Sequence, residues 1–281
     1  MDKHKTYFQA IHESSLRLQK AGCDPINSQF VFMQRKGWSK LKWLLNMHNL
    51  ISKADYKQIL HDEERLLKHL PPQYLLGMTE FLGRNFKVTK DTLIPRPETE
   101  ELVQLALQKK AHHLNLKVVD IGVGSGVIAL TLSLKCPNWQ VLGVDISAKA
   151  LDVAKENANL LSAKVHLVQG DVLRPFIGEK FDLIISNPPY IAYDEWFFLD
   201  QCVRYYEPKK ALFADENGLA IYKKIAQQAP KLLKKSGILL LEIGYLQAKV
   251  VSKMMEEAFA YKREVKVLDD ISGKPRMVYV K

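Results

Sequence analysis

Three segments of this chain carry residue types whose spacing points to chemistry. The first, Asp120-Ile121-Gly122-Val123-Gly124-Ser125-Gly126, follows the apolar pair Val118-Val119. Glycines let the main chain turn sharply and let a ligand approach it closely. Free amides at the start of a helix can face a polar or anionic group. Asp145 ends the next apolar run, where a carboxylate can accept both hydroxyls of a ribose. Gly170-Asp171-Val172 ends the run after that. There Asp171 can accept from an adenine amine while the following amide donates to the ring.

A dinucleotide turn would read GxGxxG or GxGxxA, but counted from Gly122 its third position falls on Val127. The glycines alternate instead, and Asp120 adds a carboxylate suited to the cationic amino-acid end of S-adenosylmethionine rather than to a pyrophosphate. The expected cofactor is therefore S-adenosylmethionine, released as S-adenosylhomocysteine. Its expected contacts are Gly122, Val123, Gly124, Ser125, Gly126, Asp145, Asp171, Val172 and Asn187.

The third segment is Asn187-Pro188-Pro189-Tyr190, at the end of the run Phe181–Ser186. Two prolines remove two main-chain donors and fix two φ angles. They leave carbonyls facing the crevice where open α/β sheets bind ligands. This suits a planar, conjugated nitrogen as methyl acceptor. The Asn187 side-chain oxygen and the Pro188 carbonyl can accept both N–H hydrogens and aim the lone pair at a sulfonium methyl. No general base is required before transfer, because the proton becomes acidic only once the nitrogen is quaternised. Tyr190 offers an aromatic face to the planar group and cation–π attraction to the sulfonium. The expected catalytic residues are Asn187, Pro188 and Tyr190, and the expected substrate contacts are Asn187, Pro188, Pro189 and Tyr190.

These segments need a scaffold, and the pattern supplies one. Residues 4–70 read as helices: a stripe of Phe8, Ile11, Leu16 and Leu18, a second helix around Phe30, Phe32 and Met33 closed by Gly37, and a third from Ser39 through Leu41, Leu44 and Leu45. Ser52 with Asp55 opens a fourth, which Pro71-Pro72 stops. From Glu80 to Leu93 the pattern becomes short β segments with turns at 83–85 and 89–91. After Pro97, strands at 117–121, 140–144, 165–168, 181–186 and 238–243 alternate with helices at 98–110, 125–135, 147–161, 218–234 and 246–259. Such alternation builds a largely parallel α/β sheet covered on both faces. Two last strands, 264–268 and 277–280, have no helix between them and are expected to pair antiparallel near one edge.

The bulk numbers narrow the setting. The 281 residues suit a catalytic domain plus a small appendage. The net charge of +10 suggests an acidic partner, but the excess is spread with no run of like charges. Cys23, Cys136 and Cys202 form neither a disulfide framework nor a zinc motif, and His112-His113 is expected to be a solvated helix end. No metal is expected. A polar start and only short apolar runs lead to the expectation of a cytoplasmic protein with no membrane association.

Taken together, these residues resemble the release factor glutamine methyltransferase family (HemK/PrmC). Gln73–Gly77 with Glu80-Phe81, Leu93–Leu102, Asp120–Gly126, Asp145, Asn187–Tyr190 and Glu207-Pro208 with Ala211-Leu212 carry the resemblance over almost the whole chain. Of these, 96–101 and 207–208 are the more discriminating. Where the family often has a glycine pair before the next Gly-Leu, this chain has Ala214-Asp215. The resemblance implies a Rossmann-like, seven-stranded methyltransferase domain over 98–281, a β-hairpin linker over 73–97 and a helical substrate-recognition domain over 1–72. It implies methyl transfer to the glutamine side chain of the Gly-Gly-Gln tripeptide in class I peptide chain release factors, by an enzyme expected to be monomeric.

Three other functions compete. An adenine or guanine amino-methyltransferase acting on DNA or ribosomal RNA would use the same loop, but a DNA enzyme usually needs a target-recognition domain for which no chain remains. Direct nucleic-acid binding is not expected to be primary. A nicotinamide oxidoreductase is opposed by Val127, and a silent adaptor by the intact tetrapeptide.

Overall fold

The computed structural model describes residues 5–110 and 113–281, so His112 lies outside the described residues. Packing divides the chain into two compact units, one running to Met78 and including Asp200–Tyr206, the other comprising 79–199 and 207–281.

The first unit is helical, with α1 Tyr7–Lys20, α2 Ile26–Lys36, α3 Lys40–Asn46, α4 Lys53–Leu66 and α5 Pro72–Leu76, joined by the later α9 Gln201–Tyr206. Thr6 and Gln9 close a reciprocal capping box on α1, and Gly37 ends α2 in the left-handed region. Ile11, Phe32, Trp43 and Ile59 form one buried cluster; Leu18, Val31, Leu66 and Leu75 form a second. The expected stripe on α1 is half right. Ile11 and Leu18 are buried, but Phe8 and Leu16 are exposed, because the inward face runs through Tyr7, Ala10, Ile11, Ser14 and Leu18. In α3 the leucines 41, 44 and 45 are exposed, and Trp43 alone turns inward. α4 ends at Leu66, before Pro71-Pro72; Pro72 instead occupies the first turn of α5, where its missing N–H costs nothing.

In the second unit, β1 Met78–Phe81 and β2 Arg84–Lys87 pair as the hairpin. Residues 92–94 are not a strand. They run as irregular chain into α6 Pro97–Lys110. Strands β3 Lys117–Ile121, β4 Gln140–Asp145, β5 His166–Gln169, β6 Phe181–Ser186, β7 Leu233–Glu242, β8 Val265–Asp269 and β9 Pro275–Val280 form one sheet in the order β5-β4-β3-β6-β7-β9-β8. The first five are parallel; β9 lies antiparallel between β7 and β8. The remaining helices are α7 Val127–Lys135, α8 Ala148–Leu161, α10 Lys209–Leu212, the single turn α11 Asp215–Gly218, α12 Ala220–Leu232 and α13 Ala248–Ala258.

Strand alternation sends Val119, Ile121, Ile184, Leu239 and Leu241 to one face, beneath α12 and α13. Val118, Leu183, Ile185, Ile238 and Leu240 go to the other, beneath α6 and α7. The central strands β3 and β6 and the second half of β7 are buried on both faces, so they read as continuous apolar runs. Strand order reverses between β3 and β4 on one side and β6 on the other. The carboxyl ends there form the crevice expected to take a ligand. Among the described residues no helix is long and apolar enough to cross a membrane.

Candidate active site

A cavity of about 490 Å³ opens at that switch point. Gly122, Val123, Gly124 and Ser125 line it beside Asp145, Asp171, Val172, Asn187, Pro188 and Pro189. Gly122 and Gly124 have φ of +76° and +56°, and a β-carbon on either would meet no atom closer than 3.9 Å. Their missing side chains therefore leave open cavity floor at a turn only glycine makes without strain. Gly126, also expected at the cofactor, does not line the cavity. It caps α7, and a β-carbon there would meet Leu130 at 2.8 Å. Its role is close helix packing.

Asp145 ends β4 with Oδ2 accepting the Gly124 amide at 2.9 Å and Oδ1 the Ser147 amide at 2.8 Å. Each oxygen keeps lone pairs for further donors, and burial raises its pKa. Asp120 differs from expectation. It is fully buried beneath the turn and does not line the cavity; Oδ2 accepts the Ala129 amide at 3.2 Å, and Oδ1 has no partner. Burial pushes its pKa up to about 8.

Asp171 reaches the cavity paired with Lys224, at 2.9 and 3.1 Å. Val172 adopts φ +56°, a region β-branched residues avoid at a cost of about 1–3 kcal/mol. Its side chain is buried in the sheet core, which holds the strained main chain at the cavity edge.

The tetrapeptide is anchored from several sides. Ser186 donates to the Ile121 carbonyl at 2.7 Å, tying the end of β6 to that of β3. Asn187 Nδ2 donates to Thr99 Oγ1 at 2.9 Å, and Thr99 donates to Glu242 Oε2 at 2.7 Å. Pro188 is buried. Tyr190 departs from expectation: it does not line the cavity but packs, half-buried, against the core of the α12 and α13 face. Burial pushes its phenol up to about 12. Its carbonyl accepts from Gln247 at 2.9 Å, and a β-carbon on Gly218 would lie 2.0 Å from that oxygen. The substitution Ala214-Asp215 is easily accommodated, since Ala214 has φ −132°. The left-handed residues there are Glu216, Asn217 and Gly218.

The two discriminating segments meet each other. Glu207 accepts from the Ile94 amide at 3.2 Å and from Arg96 at 2.5 Å, itself almost wholly buried. This clamp brings Asp91–Leu93, Pro95 and Thr99 to one part of the cavity wall with Pro208–Ala211. On α8, buried Asn157 donates to the Ser125 and Lys87 carbonyls at 2.8 and 2.9 Å and accepts from the Lys87 amide at 2.7 Å. It joins the glycine turn to β2. Asn157 gave no sequence signal. Thr99 stood in the segment 93–102 that carries the family resemblance, with no residue-level signal of its own, and Glu242 stood as a lone carboxyl closing the run Ile238–Leu241.

The geometry meets its relatives at this point. Residues 99–199 match the methyltransferase small domain, and residues 9–77 match the PrmC N-terminal domain. A solved methyltransferase from Pyrococcus furiosus superposes with a TM-score of 0.54 at 16% identity, covering 78% of this chain and 96% of that one, a likeness of fold. Sheet order, glycine turn and matched domain define an α/β methyltransferase with a Rossmann-like sheet. The release factor glutamine methyltransferase of Enterococcus faecalis is 43% identical over 273 residues, 97% of this chain and 98% of that protein. That of Lactococcus lactis is 45% identical over 258 residues, 92% and 94% of the two. This chain belongs to the release factor glutamine methyltransferase family.

Proposed function

We propose that this enzyme moves a methyl group from S-adenosylmethionine to the side-chain nitrogen of the glutamine in the Gly-Gly-Gln tripeptide of class I peptide chain release factors. One observation carries the proposal: Asn187, Pro188 and Pro189 line the same cavity as Gly122–Ser125 and Asp145, in a chain whose relatives of that name match it nearly end to end.

When bound, S-adenosylmethionine supplies an electrophilic methyl group on a sulfonium. Asp145 accepts the ribose hydroxyls, the main chain of 122–125 bounds the methionine portion, and Asp171 with the Val172 amide meets the adenine. The glutamine amide is a poor nucleophile because its lone pair is delocalised, a conjugation measured by a rotation barrier of about 18–20 kcal/mol. Asn187 Oδ1 and the Pro188 carbonyl accept its two hydrogens and favour partial pyramidalisation. Positioning of this kind can supply about 7–11 kcal/mol. The proton leaves after transfer, so neither group acts as a base.

The segment following the tetrapeptide supports a macromolecular acceptor. Phe197 and Phe198, seven and eight residues past Tyr190 in the chain, are 78% and 88% exposed, and adjacent solvent-facing aromatics suit a contact surface. On this proposal residues 1–72 recognise the substrate, 73–97 link, and 98–281 catalyse, in a cytoplasmic monomer. The test offers labelled S-adenosylmethionine with purified release factor in one tube and protein-free ribosomal RNA or DNA in the others. Label in the factor supports the proposal; label in nucleic acid alone defeats it.

A further inference from the structure

An asparagine amide presents a donor at one end and an acceptor at the other, and rotation of the terminal group exchanges them. With its nitrogen toward the substrate, Asn187 would set donors against the donors of the glutamine amide. Something must choose the end. Thr99 Oγ1 receives the Asn187 Nδ2 hydrogen at 2.9 Å, while its own single hydrogen goes to Glu242 Oε2 at 2.7 Å. With that hydrogen committed, Thr99 can only accept from Asn187, which leaves the asparagine oxygen for the substrate. Both Thr99 and Glu242 are buried, at 3% and 1% exposure, so water does not compete for either bond.

We propose that Thr99 and Glu242 are positioning residues for methyl transfer, a buried two-bond chain that holds the Asn187 oxygen toward the acceptor amide. The inference rests on the tetrapeptide being the amide-binding loop, as above.

The chain has a polarity because an ionised carboxylate accepts and cannot donate. Burial is the largest influence on Glu242, pushing its pKa up to about 7 against the Thr99 hydrogen bond. Arg276 on β9 and Arg96 ahead of α6 favour its charge, and Glu98 in the first turn of α6 opposes it. Glu242 in turn acts on the phenols of Tyr190 and of Tyr222 on α12. Tyr222 spends its hydrogen on the Glu242 main-chain carbonyl at 2.7 Å. Once protonated, Glu242 can donate to Thr99. The threonine hydrogen is then released toward Asn187, and the amide loses its fixed sense. Turnover should therefore be full above pH about 7 and fall below it.

The test compares Thr99→Val, Thr99→Ser and Glu242→Gln with the wild type, each checked by its melting curve and by calorimetric binding of S-adenosylmethionine. Readouts are kcat and KM on a release factor, factor binding in the presence of S-adenosylhomocysteine, and the pH profile. Thr99→Val should lose about 100-fold in kcat, the scale of a misplaced reacting group, with cofactor affinity within about twofold of wild type. Thr99→Ser should recover most of the loss. Glu242→Gln, which keeps a carbonyl oxygen that does not titrate, should lose the acid limb near pH 7. A folded Thr99→Val with wild-type kcat, a Thr99→Ser no better than the valine, or an unchanged acid limb in Glu242→Gln overturns the inference alone. A wild type that leaves the factor unlabelled overturns the site assignment and this inference with it.

Discussion

A carboxyl sealed from water must be neutral or paired, and Asp120 has only the Ala129 amide on one oxygen. Its folded pKa of about 8 lies above its ordinary value of 3.8, so the folded chain keeps a proton that the unfolded chain has released. Stability is then lost as pH rises from about 4 to about 8, at about 1.4 kcal/mol per pH unit for one such group. Glu242 adds the same trend from 4.5 to about 7. Between pH 7 and 8 Asp120 dominates, and Asp120→Asn should flatten the fall in melting temperature there; parallel curves would contradict the assignment. Asp145→Ala should weaken S-adenosylmethionine binding by about 1.5–3 kcal/mol, the range for hydrogen bonds to a charged group, as calorimetry would read. Residue types at the cavity were legible because glycine pairs, a strand-end carboxylate and Asn-Pro-Pro are rare in combination. Three assignments were not: Gly126 belongs to the glycine turn yet packs against Leu130 of α7. Asp120 sits next to the turn in sequence yet faces α7, and Tyr190 follows the prolines yet turns into the core. Sequence adjacency does not reveal which side of the main chain a residue takes.

The elements that hold the tetrapeptide come from far along the chain. Gly218 passes so close to the Tyr190 carbonyl that no β-carbon fits, and its φ of +79° suits glycine alone. Gly218→Ala should destabilise the protein by about 1–3 kcal/mol and lower kcat more than it alters cofactor affinity. Unchanged melting and kcat would show that the contact relaxes freely. Replacing Phe197 and Phe198 together by serine should raise KM for a release factor by about tenfold, near 1.4 kcal/mol, without changing S-adenosylmethionine binding. Equal KM values would remove that surface from recognition. Strands were legible as apolar runs because the sheet is covered on both faces. The helical region was less so: Leu41, Leu44 and Leu45 are apolar but exposed, and the short α3 buries only Trp43. Long-range ties such as Asn157 to Ser125 leave no local pattern to read.

At the scale of the whole molecule, chain order and packing differ. Asp200–Tyr206 packs with the helical unit, although it lies between two stretches of the catalytic one. The net charge of +10 is compatible with either an acidic protein or nucleic acid, and salt separates them, since binding through phosphates weakens steeply as counterions compete. The proposed methyl acceptor is one glutamine side chain on a release factor. The most direct measurement supplies labelled S-adenosylmethionine with a class I release factor and with the same factor carrying alanine in place of the Gly-Gly-Gln glutamine. Label is expected in the first and none in the second; equal labelling of both would exclude that glutamine as the acceptor.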